Sequence, residues 1–147
     1  MGRTANLRLQ HDAAIKLVAD IHALADRLGE EGVPYQLGML LARLTGTLRI
    51  HLAQEDKTLY PHMLASADRE VSDTALAFKE EMGELSRAFG EFAERWNSAG
   101  RIAADPQGYR AESRTILDTL VDRIARENAL LYALADAIDD WQVRKTA

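Results

Sequence analysis

The chain has 147 residues, no cysteine and a formal net charge of −5. That length suits one domain with a closed core, taken as residues 1–147, and the lack of thiols excludes disulfides and thiolate metal sites. The acidic balance argues against a nucleic-acid surface, and apolar runs this short and this broken by charge exclude a membrane span.

Only three prolines occur, at positions 34, 61 and 106, and no run alternates as a strand would. An all-α chain is expected. The first helix should run from Asn6 to Leu28, with Gly29 as its stop signal. Its inward stripe reads Leu7, His11, Ala14, Val18, Ile21 and Leu28. His22 returns to nearly the face of His11, but eleven residues of helix part them by about 16 Å, too far to share an ion. After a loop at 29–33, Pro34 opens the second helix. This helix should continue through Gly46 to about Leu59, where Pro61 ends or distorts it.

The inward stripe of the second helix, Leu37, Leu41, Leu44 and Leu48, steps by four, three and four, and the same step lands on His51 and then on Glu55. An imidazole and a carboxylate therefore occupy core positions. Burying either without a partner is costly, so the interior must satisfy them.

A crossover at 66–72 leads to a third helix over about Ser72 to Trp96, with the stripe Phe78, Met82, Leu85, Phe89, Phe92 and Trp96. A polar loop, Asn97 to Gln107, follows. The fourth helix is expected from Gly108 to Ile138, carrying Ile116, Leu120, Ile124, Glu127, Leu131 and Leu134 inward, and the tail at 141–147 should fray. Four long amphipathic helices with mostly short connections make an up-down-up-down antiparallel four-helix bundle.

The chain also repeats itself. His51, Glu55, Leu59 and Tyr60 are matched 72 residues later (51 to 123) by Arg123, Glu127, Leu131 and Tyr132, and Asp56 falls opposite Asn128. The first helix aligns with the third at an offset of 71 (7 to 78), which sets His11 against Met82. This is the pattern of two helical hairpins of one ancestry packed about a pseudo-twofold axis.

IHLAQEDKTLYP, LRLQHDAAIKL, EEMGEL and RIARENALLY together resemble the helix motifs of hemerythrin-like (HHE) cation-binding domains, over about residues 7 to 138. The resemblance implies a four-helix bundle with a carboxylate-bridged di-iron centre held by histidines from all four helices. It also implies roles in oxygen, nitric oxide or redox sensing, iron handling or oxygen carriage. This chain departs from the pattern at Met82 and Arg123, both on one hairpin, where the family has histidines. Glu127 is then one candidate bridge, and Asn128 fills the alternative acidic position. A di-iron oxygen carrier is not expected.

Two readings of the polar centre stand. In one, His11, His51, Glu55 and Glu127 bind a single divalent metal, iron or zinc. In the other no metal binds, and Arg123 lies between Glu55 and Glu127, its planar fork bonding both carboxylates. A fixed cation beside a vacant metal position repels a second cation, which tips the balance toward a metal-free or weakly binding protein. His22 and His62 read as half-exposed helix residues, Tyr60 and Tyr132 as aromatic caps rather than hydrogen-bond donors to the site, Met82 as plain packing, and Glu80, Glu81 and Arg87 as a solvated face.

No nucleophile–base pairing or phosphate loop stands out, so a non-enzymatic sensor, regulatory or binding protein is expected. A phosphotransfer histidine would be exposed, whereas His11 and His51 sit on core stripes. The alternative is a metal-free helical interaction module. No secretory signal is recognised at the N-terminus, and a soluble cytoplasmic protein is the expectation. The sequence specifies no nucleic-acid, membrane or protein partner, and it admits a homodimer without requiring one.

Overall fold

The apolar stripes fold as helices except at two ends: Leu28, expected to close the first, lies in a turn beyond Ala25, and Trp96 caps the third. In the computed structural model, which describes residues 2–138, the helices are α1 (Ala5–Ala25), α2 (Val33–Thr58), α3 (Tyr60–Leu64), α4 (Arg69–Arg95), α5 (Ala99–Ala104), α6 (Pro106–Arg126) and α7 (Tyr132–Asp136). A π-helical turn, Glu127–Leu131, joins α6 to α7. No strand occurs among the described residues.

Local chemistry sets the ends. Gly32, at the N-cap of α2, has φ of +83°, a left-handed conformation that costs glycine little, and Pro34 follows in the first turn. Leu59 breaks α2 just before Tyr60 and Pro61, and the chain restarts as α3. The N-terminus of α4 is capped by Asp68, whose side chain accepts from the Glu70 amide. Its start at Arg69 is three residues earlier than the apolar stripe suggested.

The expected polar loop at 97–107 contains a helix instead. Ser98 and Asp105 cap α5 and α6, accepting from the amides of Arg101 and Gly108, and Ile102 is buried. The tail expected to fray, 141–147, lies outside the described residues.

Cross-helix pairs fix the directions of the helices. His11 meets Glu127 and His22 meets Asp118, so α1 and α6 run antiparallel. Phe78 and Glu81 near the middle of α4 meet Arg123 and Arg126, while Arg95 at its end meets Glu112 near the start of α6. Gln10 near the start of α1 reaches Gln54 near the end of α2. These pairs are compatible with an up-down-up-down bundle. At the far end Thr4 donates its amide and hydroxyl to Asp136, tying α7 to the start of α1.

The interior divides into three layers. One apolar cluster gathers Val18, Ile21, Leu37, Leu44, Phe92, Trp96, Tyr109 and Leu117, and a second gathers Leu7, Leu59, Tyr60, Met63, Phe78, Leu131 and Tyr132. His11, His51, Glu55, Arg123 and Glu127 are all buried and belong to neither cluster. Polar residues from α1, α2, α6 and the π turn thus form a layer between two apolar ones.

Candidate metal centre

Each half of the site is built by a helix turn that brings an acid and a base together. On α2, the i, i+4 spacing sets His51 above Glu55, with Nε2 and Oε2 3.3 Å apart. On α6 the same spacing joins Arg123 to Glu127, whose Oε2 accepts from Nε at 2.9 Å. From α1, His11 Nε2 lies 2.9 Å from the other oxygen of Glu127, Oε1. One donor atom from each of His11, His51, Glu55 and Glu127 lies within 4.8 Å of those from the other three. All four residues expected as metal ligands therefore converge.

Both imidazoles are held by amides. His51 Nδ1 donates to Gln10 Oε1 at 2.7 Å, and Gln10 is fixed in that sense because its own amide donates to Gln54. His11 Nδ1 donates to Asn128 Oδ1 at 2.8 Å. With the Nδ1 proton anchored outward, each Nε2 faces the cluster. Outer hydrogen bonds of this kind orient and strengthen metal-binding histidines.

Arg123 does not lie between the two carboxylates, as one reading of the sequence required. Its guanidinium spends one side on Glu127 Oε2 and the other two nitrogens on Glu81 Oε1 (3.0 Å) and the Phe78 carbonyl (2.6 Å), with Cζ 4.6 Å above the Phe78 ring. It forms no hydrogen bond or ion pair with Glu55. The reason is reach: with Nε committed to Glu127 one turn along the same helix, the fork points at α4. Glu81 is correspondingly not a free solvated residue, since Arg126 also donates to it. Asn128, in the alternative acidic position, serves to orient His11.

Tyr132 is the largest departure from its expected role. Far from capping the bundle, its phenol oxygen sits among the four candidate ligands and donates to Glu55 Oε2 at 2.6 Å. The π turn makes this possible. In a continuous α-helix Leu131, four residues on, would stand over Glu127. The wide turn instead has the Tyr132 amide donating to the Glu127 carbonyl, five residues back, and buries Leu131 and Tyr132 together. The duplicated position, Tyr60, also follows its glutamate by five residues and is buried, but its hydroxyl has no hydrogen-bond partner among the described residues.

The charges follow from this arrangement. Burial opposes a charge on His51, but Glu127 and Glu55 outweigh it and raise its pKa to about 9. Burial, and then the Glu127 charge, push Glu55 up, against the pull of His51. Burial would raise Glu127 as well, yet hydrogen bonds from His11 and His51 and the charge of Arg123 hold it below the usual carboxylate range. Burial, followed by the two carboxylates, keeps the Tyr132 phenol protonated far above its ordinary range.

The donor set fits a metal ion. Two neutral-capable imidazole nitrogens and two carboxylates suit iron or zinc. Glu55 Oε1 is buried with no hydrogen-bond partner among the described residues, an unmet acceptor of the kind a cation satisfies. On the opposite hairpin Met82 stands where a histidine was expected by resemblance. It lines a largely apolar cavity of about 400 Å³ among α2, α4 and α6 that includes none of the four donors. His22 is half-buried and pairs with Asp118 at 3.2 Å, away from the cluster.

No helix among the described residues is long and apolar enough to cross a membrane. No curated protein and no solved structure matches the chain. The model of the hemerythrin HHE cation-binding domain matches residues 3–135, spanning every helix that contributes to the buried cluster. The chain belongs to the hemerythrin HHE cation-binding domain family.

Proposed function

We propose that this protein is a non-enzymatic sensor or regulatory member of the family that holds one metal ion, with Arg123 standing where a second ion would be. The division of Glu127 supports this most directly. Its Oε1 faces His11 at 2.9 Å and its Oε2 accepts from Arg123 at 2.9 Å. A carboxylate that would bridge two cations thus bridges one donor set and one guanidinium.

Charge supports the same reading. Glu55, Glu81 and Glu127 bring three carboxylates against the two guanidiniums of Arg123 and Arg126, and the carboxylate left over attracts a cation. The repulsion expected from Arg123 is blunted because Glu81 and the far oxygen of Glu127 take up its charge. His11, His51, Glu55 and Glu127 would hold the ion. When bound it supplies a Lewis-acidic, and if iron a redox-active, centre, while the protein keeps it dry and oriented through Gln10 and Asn128.

The alternative, a metal-free interaction module, draws support from Tyr132, whose hydrogen bond to Glu55 helps close the cluster without an ion. Elemental analysis of protein purified without chelator, before and after anaerobic addition of Fe(II), separates the two. One transition-metal ion per chain is expected, with a melting temperature that falls on chelation. A metal content far below one per chain after loading, with melting indifferent to chelator, sinks the metal reading and leaves the module.

A further inference from the structure

We propose that Tyr132 is a fifth ligand of this centre, its phenol oxygen binding a ferric ion together with His11, His51, Glu55 and Glu127. The inference rests on the mononuclear reading above and adds to it the identity and oxidation state of the ion.

The geometry is specific to this oxygen. It lies 2.6 Å from Glu55 Oε2, 3.2 Å from His51 Nε2, 3.3 Å from His11 Nε2 and 3.5 Å from Glu127 Oε1. Metal–donor bonds of about 2.0–2.2 Å place neighbouring donors around one ion roughly 3 to 3.5 Å apart. Tyr132 therefore keeps the spacing of a neighbouring donor to His51, His11 and Glu127, and its 2.6 Å to Glu55 Oε2 is the hydrogen bond it gives up on coordination. The π turn that presents Tyr132 one residue beyond the α-helical register is a local distortion of the kind often found at functional sites.

The Tyr132 ring is held in place by its neighbours. The His11 ring stacks on that of Tyr132, 13° from parallel with centroids 5.0 Å apart, and the Arg8 guanidinium lies 5.5 Å from the ring centre. Tyr132 is fully buried. On coordination the phenol O–H bond breaks, its proton passes to solvent, and an oxygen lone pair forms the bond to iron, with no change of oxidation state. Glu55 Oε2 loses that hydrogen bond and becomes free to ligate. The phenolate adds one more anionic oxygen to the donor set, and a hard anionic donor of this kind favours Fe(III) over zinc.

The test is the absorption and resonance Raman spectrum of the full chain loaded with ferric iron, read beside its iron content. The wild type should show a visible phenolate-to-iron charge-transfer band with enhanced tyrosine ring modes. Tyr132→Phe, which keeps the ring, should lose the band and bind iron at least tenfold more weakly. A wild-type chain holding one iron without the band overturns the proposal and leaves the mononuclear reading intact. So does a band that survives in Tyr132→Phe, or tighter iron binding by that variant, which would make the phenol a plug. Failure to take up any iron overturns both, and is seen in the metal content instead of the spectrum. If Tyr132→Phe does not fold, the wild-type Raman spectrum alone decides.

Discussion

Replacing Arg123 with leucine is expected to lower stability by about 3–5 kcal/mol, the cost of stranding one partner of a buried ion pair. The side chains of Arg123 and Glu127 are each 3% exposed, so water cannot take over. Three acceptors lose their donor together: Glu127 Oε2, the Phe78 carbonyl and one bond to Glu81. Only Glu81 is open enough to be rehydrated, and it retains Arg126. Leucine would add apolar contact beside Phe78, but that gain does not offset an unpaired buried carboxylate. Urea unfolding of the metal-free variant against wild type measures the difference. A change under about 1 kcal/mol, the size of an ordinary surface substitution, would show that Arg123 is not integral to the layer.

The second large effect lies at His51. Changing it to leucine should remove a nitrogen donor and abolish metal uptake, and it should also change how the metal-free protein responds to pH. The His51 pKa is raised to about 9 in the folded state, against an ordinary value of 6.5. A raised histidine adds stability that is fully present below about 6.5 and is lost as pH climbs through about 9. The size of that loss is about 3 kcal/mol by linkage. Wild-type protein stripped of metal should therefore melt at progressively lower temperature between those pH values, and His51→Leu should lose most of that slope. An unchanged slope in the variant would place the titrating group elsewhere.

The residues that point into the core were legible because helix periodicity is a strict geometric rule. His11, His51, Glu55 and Glu127 continue apolar stripes, and all four are buried together. What the sequence hid was the register at the end of the fourth helix. ENALLYALAD carries no glycine or proline to announce a π turn, and uniform steps of three and four point Leu131 inward while leaving Tyr132 on a flank. The turn buries both.

The orienting amides were hidden for a related reason. Gln10 and Asn128 flank core residues in sequence, and nothing in a half-buried flank says which way its amide reaches. Glu81 reads as surface because it is surface; only the length of Arg123 and Arg126 makes it part of the site. The short α5 was missed because its single apolar anchor, Ile102, gives no stripe to follow, although Ser98 and Asp105 were available as caps.

What unites these observations is a carboxylate whose two oxygens serve different cations. Anomalous diffraction from crystals of the iron-loaded protein examines this directly. One peak is expected per chain, next to His11, His51 and Glu127 Oε1, with Arg123 still on Oε2. Two peaks astride Glu127, or one on the side of Oε2 with Arg123 displaced, would contradict it.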